Sequence, residues 1–448
     1  MKCKFPLYFY LCVLATMLGC TESGEKEIKP MPIPVIPTDS DTIVKPDTLN
    51  SDTLGSDTIN PDTIIRPETF TGLPIMWIET EGRQEITSKD EYLSATFRLD
   101  EGDATRSSEF IENVNIKGRG NTSWDMFDKK PYRLKFDKKV SLLGEPADKS
   151  WVLIANYIDR TMLRTYISLY MGHLSNLEWT PHAHFVELML NGEYNGTYLL
   201  AEKIKVAENR VNIGPDGILL ELDAYAPEED SPYFTTNHFW HEVAIKSPHV
   251  EYGDDTFNLA KDLMTTAEAV LFSDNFTDPK DGWRKYLDEA SFVDWYLVNE
   301  IVNNTDAIGW SSIYFACQSE KGKIMMGPLW DFDMSFGVTE EQNQSSEGFR
   351  VRMNPWIDRL FADPLFVESV KERFDFFYGQ KETILSEIDS NSQYLRNAAI
   401  ENENRWHTMY KDLWRNPGIM GGYENEVQFM KQWLNTRLEW LKHAYDNM

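Results

Sequence analysis

Residues 303–337 read NNTDAIGWSSIYFACQSEKGKIMMGPLWDFDMSFG, and this stretch holds three aspartates among apolar and glycine-rich segments. Asp306 follows the end of a helical, apolar run, whereas Asp331 and Asp333 alternate with large apolar residues. A carboxylate beside a buried apolar patch is costly unless another group compensates its charge. The stretch therefore raises the question of what pairs with these aspartates.

The segment between the aspartates, IYFACQSEKGKIMMGPL, has the pattern of a hairpin. Because a hairpin brings its two ends together, we expect Asp306 to lie near Asp331 and Asp333. Converging carboxylates repel one another, and a hard divalent cation such as Mg²⁺ is the usual compensation. In an extended segment Asp331 and Asp333 share a face and form a chelating pair, with Trp330 and Phe332 packing behind. The alternative is a pair of capping or salt-bridged aspartates.

A glycine-containing loop, IKGRGNTSW at residues 116–124, follows a strand-like run. Its glycines allow close approach of the backbone to a ligand, its polar side chains supply donors and its arginine supplies charge. The loop is therefore a candidate phosphate cradle, although a plain turn has the same pattern. The candidate residues are Gly118, Arg119, Gly120, Asn121, Thr122 and Ser123.

Two further patterns place polar side chains on strand faces. In KKPYRLKF (residues 129–136) Arg133 and Lys135 share one face, from which a cation could hold phosphate oxygens, or which could be solvated. In TPHAHFVEL, His182 and His184 share a face, so a metal pair is conceivable. No third ligand stands at a telling spacing, and the sequence favours a hydrogen-bonded structural role for these histidines.

The order of the patterns predicts an α+β fold. Strand-like runs dominate from about residue 71 to 225, with NGEYNG as a hairpin turn and a helical pattern over 159–176. Helical patterns dominate from about residue 254 to 448, and the final helix carries an apolar stripe. We expect a bilobal domain over 71–448, with a strand-rich part followed by a helical part.

Composition and the N-terminus bound the class of protein. The 448 residues carry a formal net charge of −28, which argues against a nucleic-acid binder. Residues 1–20 resemble a bacterial lipoprotein signal, in which Cys20 would be lipidated; an ordinary signal peptide is the alternative. Residues 21–70, rich in proline and Asp-Thr repeats, predict a disordered tether. The expected location is the membrane surface, facing the periplasm or the cell exterior.

Taken together, KGRGNTSW, KKPYRLKF, WVLIANYIDRTMLR, NGEYNGTYLLAEKI, NNTDAIG and LWDFDMSFG resemble the spore coat protein H (CotH) kinase-like family. The resemblance implies an atypical protein-kinase-like fold that uses ATP and Mg²⁺, or Mn²⁺, to phosphorylate Ser or Thr of proteins. It implies Asp306 as the catalytic acid and Asp331 as the metal ligand, helped by Asp333. Lys135 becomes the candidate phosphate-holding cation and Glu202 its carboxylate partner.

Two functions remain open at this point. The first is an ATP- and Mg²⁺-dependent kinase that acts on extracytoplasmic proteins. The second is an inactive surface-binding or adhesion lipoprotein on the same fold, because ATP is scarce outside the cytosol. In the catalytic loop of protein kinases an Asn stands five residues after the catalytic Asp and holds a metal ion. Here that position is Ser311, and Asn304 could substitute only with a different geometry.

Overall fold

The strands of the N-terminal part and the helices of the C-terminal part are described by a computed structural model covering residues 71–101, 110–229, 231–318, 322–339 and 345–448. The predicted signal peptide, Cys20 and the tether over 21–70 lie outside these residues. None of the helices in the described part is long and apolar enough to span a membrane.

Seven strands of the N-terminal part form a barrel. They are β1 (Ile75–Thr80), β2 (Leu93–Asp100), β3 (Phe110–Gly118), β4 (Tyr132–Val140), β5 (Asp148–Ile154), β6 (Ala183–Leu190) and β7 (Glu193–Glu202). The barrel closes in the order β1-β2-β3-β4-β5-β7-β6, through a parallel pairing of β1 with β6. Asn191 and Gly192 have φ of 52° and 85° in the turn between β6 and β7. This confirms the hairpin predicted from NGEYNG.

Side chains along the barrel strands alternate between the barrel core and the opposite face of the strand. On β4, Leu134 and Phe136 point into the barrel core, while Arg133 and Lys135 point out. On β7, Leu200 lies in the barrel core and Leu199 packs in the core of the helical part. Because side chains alternate along the strand, one face of β7 packs inside the barrel and the other packs against the helical part.

A second, antiparallel sheet follows the barrel. Its strands are β8 (Ile218–Asp223), β9 (Tyr233–Phe234), β10 (Glu242–Ser247), β11 (Ile313–Cys317) and β12 (Ile324–Met326), in the order β12-β11-β8-β10-β9. The central strand β8 is buried on both faces. Leu220 and Leu222 pack against the helices, whereas Glu221 and Asp223 project from the opposite face into a cavity.

The remaining described residues are mainly helical. The helices are α1 (Thr122–Asp125), α2 (Arg164–Leu174), α3 (Asp255–Leu271), α4 (Glu289–Val302), α5 (Pro355–Leu360), α6 (Pro364–Gly379), α7 (Lys381–Tyr394), α8 (Arg396–Trp406) and α9 (Tyr423–Asp446). The predicted stripe of α9 is buried, from Met430 through Leu434, Leu438 and Leu441 to Tyr445. A mixed α+β fold with a strand-rich N-terminal part and a helical C-terminal part is thereby confirmed.

Candidate active site

A cavity of about 770 Å³ collects the polar residues of the barrel rim and of the second sheet. Its size falls within the range of about 300–1,000 Å³ that is usual for small-molecule sites. The connection between β3 and β4 lines one side, β8 lines another, and the two ends of the β11–β12 hairpin line a third. All the aspartates singled out from the sequence reach this cavity.

The hairpin brings the three aspartates together. Strands β11 and β12 pair antiparallel, with Phe315 opposite Met326. Asp306 precedes the hairpin and Asp331 and Asp333 follow it, and all three side chains line the cavity. This placement confirms the convergence that the hairpin pattern predicts.

Asparagines at the end of α4 hold the aspartate-bearing segments in place. Asn303 adopts the left-handed conformation, with φ of 57°, and ends the helix. The side-chain amide of Asn304 donates to the backbone oxygen of Asp331 at 3.0 Å, and its oxygen accepts from the backbone N–H of Asp306 at 3.3 Å. Asn304 therefore positions both acids through their backbones, and its amide is already engaged in that role.

The aspartates differ in their electrostatic surroundings. Burial raises the pKa of Asp331, while the Arg119 guanidinium and a hydrogen bond from Ser312 Oγ, 3.3 Å from Asp331 Oδ2, oppose the rise. Burial and repulsion from Asp331 and Asp306 raise the pKa of Asp333 well above its ordinary value. A proton or a cation at this end of the cavity would relieve that repulsion, so the residues fit a hard divalent ion.

The spacing of the acids favours an ion that is only partly coordinated by protein. Among the described residues, the group whose ligand atoms all lie within 4.8 Å of one another is Glu145, His182 and Glu202, outside this cavity. Mg²⁺ commonly keeps several waters and takes only one or two carboxylates from the protein. Asp331 and Asp333 thus suit an ion that also binds ligand oxygens.

The aromatic residues around the acids divide into two kinds. Phe332 and Phe336 are fully buried in the main core and support the segment from behind. Trp330, expected to pack behind the acids as well, instead lines the cavity, with the Arg119 guanidinium 5.5 Å from its ring centroid. The indole therefore faces the ligand space and helps to fix Arg119.

The glycine loop lines the cavity along its whole length, from Gly118 to Ser123. A Cβ on Gly118 would lie 2.4 Å from the ring of Trp124, and Gly120 has φ of +83°. Both positions therefore require glycine, for different reasons. Thr122 Oγ1 lies 3.3 Å from the Tyr225 hydroxyl, which links the loop to the segment after β8.

Cationic side chains gather on the side of the cavity formed by β4, β7 and β10. Arg133, Lys203 and Lys246 line it together with Arg119. Lys246 is paired with Glu221 at 3.2 Å, but the buried Nε of Arg133 makes no hydrogen bond among the described residues. Burial, and then repulsion from Arg133, Lys246 and Arg119, lowers the pKa of Lys203 to about 7. These cations are suited to an anionic ligand.

The structure does not bring Lys135 and Glu202 together, and it places both outside the cavity. Lys135 lies two residues beyond Arg133 on β4, about 7 Å farther along the strand, and its Nζ is 5.9 Å from the Tyr92 ring centroid. Glu202 is buried and forms an ion pair with Arg210. The assignment of Lys135 as phosphate-holding cation and of Glu202 as its partner is therefore corrected.

Lys203 and Glu221 are among the cavity residues that were missed in the sequence. Lys203 is the residue next to Glu202, and successive side chains of an extended segment point to opposite sides, so Glu202 points away from the cavity that Lys203 lines. Glu221 is a carboxylate within the apolar run GILLELD, and burial raises its pKa. A charged residue inside a strand that is otherwise apolar was the available signal for a site.

Comparison with known protein families gives a match over most of the chain. The family model described as CotH kinase protein matches residues 116–441, a range that contains the glycine loop, the cavity cations and all three aspartates. A search of curated proteins found no match.

Proposed function

Because the chain belongs to the CotH kinase family, we propose that it transfers the γ-phosphoryl group of ATP to Ser or Thr hydroxyls of extracytoplasmic proteins. The observation that supports this proposal is that Asp306, Asp331 and Asp333 line the same cavity as Arg119, Arg133 and Lys203. A metal-bound polyphosphate has the matching charge distribution. A bilobal, kinase-like arrangement of the two parts belongs to this proposal.

The proposed reaction forms a bond between the acceptor oxygen and the γ-phosphorus and breaks the bond from that phosphorus to the β–γ bridging oxygen. Asp306 orients the acceptor hydroxyl and accepts its proton. Asp331 and Asp333 would hold a divalent cation, Mg²⁺ or Mn²⁺, which supplies charge neutralisation at the phosphate oxygens. ADP leaves with the electron pair of the broken bond.

The remaining cavity residues bind and orient the nucleotide. Arg119 lies between the acids and the cations, close enough for Asp331, Glu221 and Arg133 all to influence its charge. Lys203 and Arg133 hold phosphate oxygens, and the loop over 118–123 covers the phosphates. Holding the reacting groups in position accounts for most of the catalysis expected of a phosphoryl-transfer enzyme.

We further propose that lipidated Cys20 and the tether over 21–70 hold the domain at the membrane, facing the periplasm or the cell exterior. The support is the apolar N-terminal run that ends at Cys20 and the repetitive, acidic segment that follows it. The acceptor would then be a protein of the same compartment, with nucleic acid excluded as a partner by the net charge of −28.

The test is phosphate transfer from labelled ATP by the purified full-length chain, with Mg²⁺ or Mn²⁺ present. We expect Asp306→Ala and Asp331→Ala each to abolish transfer without changing the circular dichroism spectrum. Asp446→Ala is the matched control, because Asp446 is exposed at the end of α9, where it pairs with Lys442. Transfer that survives both cavity substitutions would overturn the assignment.

A second measurement separates an enzyme from a binding protein that has lost the chemistry. ATP with Mg²⁺ should raise the melting temperature of the wild-type chain, because a ligand that binds only the folded state stabilises it. The absence of both transfer and stabilisation would favour the surface-binding function on the same fold.

A further inference from the structure

A cluster of histidines and carboxylates lies outside the cavity, near the end of β7. Glu145 comes from the connection between β4 and β5, His182 precedes β6, and Glu202 ends β7. One ligand atom from each of these three residues lies within 4.8 Å of the others. Three separate segments of the barrel therefore converge on one point.

The convergence is centred on a single ring nitrogen. His182 Nδ1 is 3.2 Å from Glu202 Oε2 and 3.4 Å from Glu145 Oε2. One N–H can donate well to only one of these oxygens, and both distances are long for a charge-assisted hydrogen bond, which is usually about 2.7–2.9 Å. By contrast, tetrahedral ligands placed about 2.0–2.2 Å from a zinc ion are separated from one another by about 3.3–3.6 Å.

Neighbouring residues fix the orientation of these three donors. His184 Nε2 lies 2.8 Å from Glu145 Oε1, which turns the other oxygen of Glu145 toward His182. Arg210 forms an ion pair with Oε1 of the buried Glu202, and the backbone N–H of His182 donates to Oε2 at 3.0 Å. Contacts of this kind hold metal ligands in place and tune their basicity.

The His182 ring is also held in place by a neighbouring ring, and it remains partly exposed to solvent. The ring of His173 stacks on it at 4.3 Å between centroids. The His182 side chain is 47% exposed, whereas that of Glu202 is 1% exposed. The cluster thus combines a buried anchor with an open side, through which an ion and a water ligand can enter.

From this geometry we propose that Glu145, His182 and Glu202 bind a Zn²⁺ ion, with water as the fourth ligand. One imidazole nitrogen and two carboxylate oxygens are a donor set that zinc accepts. The ion would join the β4–β5 connection to the ends of β6 and β7. It would also fix the strand end from which Lys203 enters the cavity. Zinc binding at this site does not require the proposed phosphoryl transfer.

The experiment measures zinc binding by the full-length chain after chelator treatment, in excess Mg²⁺ to occupy hard-ligand sites. We expect His182→Ala and Glu145→Gln each to remove one equivalent of zinc, with affinity at that site falling at least about 100-fold. Loss of the supporting His184 should weaken binding by about tenfold. His249→Ala is the matched control, because exposed His249 lies 3.6 Å from exposed Glu251 and the described residues supply no third ligand there.

The Glu145→Gln variant and Co²⁺ substitution test the same site in two further ways. Glu145 lies at the surface in part and glutamine keeps an oxygen for His184, so Glu145→Gln tests the site even if His182→Ala fails to fold. Co²⁺ substitution should give the absorption bands of a tetrahedral site in the wild type and not in either variant. Equal zinc stoichiometry in the wild type and both variants, or no zinc binding by the wild type, would overturn the proposal.

Discussion

At the residue scale, Lys203 and Lys135 separate a cavity cation from a surface cation. Lys203 lines the cavity beside Arg133 and Lys246. Lys135 lies on the exposed face of β4, near Tyr92. A charge held in a partly dehydrated cavity acts strongly on a bound phosphate, whereas an exposed charge is screened by solvent.

We expect Lys203→Met to lower kcat/KM for ATP by about 100-fold, the usual size of effect when one preorganised donor is removed. Lys135→Met, the matched control, should change it by no more than about twofold. Steady-state kinetics at pH 7 on both variants provide the comparison. A larger loss in Lys135→Met than in Lys203→Met would restore the original assignment.

The lowered pKa of Lys203, about 7, also predicts a dependence on pH. Without ligand, Lys203 loses its proton as pH rises through 7, so nucleotide affinity should fall between pH 6 and 8, and this fall should be absent in Lys203→Met.

Folding stability changes in the opposite sense. Between about pH 7 and 10.4 the unfolded chain binds this proton more tightly, so the contribution of Lys203 to stability rises with pH. Calorimetric titration and urea unfolding at several pH values measure the two effects.

At the element scale, α4 and α9 are joined by a buried ion pair. Arg437 and Glu300 are both fully buried and form this pair. Arg437 also donates to the backbone oxygens of Ser346 and Gly348, and Glu300 accepts from the backbone N–H of Arg350 at 2.8 Å. Because α4 ends at Val302, this contact also fixes the approach of the chain to Asp306.

Removing one partner of this pair leaves the other charge buried. We therefore expect Arg437→Ala to reduce the free energy of unfolding by about 3–5 kcal/mol. Arg396→Ala, which removes an exposed pair with Glu424 at 3.7 Å, should cost less than about 1 kcal/mol. Urea unfolding followed by circular dichroism measures both. Equal losses in the two variants would mean that burial does not govern the contribution of the pair.

The elements also show how far the sequence could predict the structure. Helices α3, α4 and α9 and the β11–β12 hairpin follow clear sequence patterns, and the hairpin pattern brings Asp306 and Asp331 to one cavity. Periodicity predicts which residues share a face of a strand. It does not predict which of them reach a cavity, or that the strands close into a barrel. It could not decide between Arg133 and Lys135 on β4, nor show that Glu145 lies beside His182.

At the scale of the whole molecule, the net negative charge affects folding stability. The chain carries a formal net charge of −28, and repulsion among its carboxylates disfavours the compact state. Monovalent salt should screen this repulsion, because the Debye length falls from about 30 Å at 0.01 M to about 8 Å at 0.15 M. Repulsion among Asp306, Asp331 and Asp333, which lie in a partly dehydrated cavity, is screened much less by salt. An ion bound among the acids is needed to relieve it.

We therefore expect the melting temperature to rise with NaCl, and to rise further with MgCl₂ at the same ionic strength. The excess effect of Mg²⁺ should disappear in Asp331→Ala, because that variant loses a ligand and relieves the repulsion on Asp333. Asp446→Ala, at an exposed position on α9, should retain it. Differential scanning fluorimetry on the full-length variants, with zinc withheld, makes the comparison. Coincident NaCl and MgCl₂ curves for the wild type would show that the acids of the cavity bind no divalent ion without nucleotide, which would leave the bound phosphates as a necessary part of the metal site.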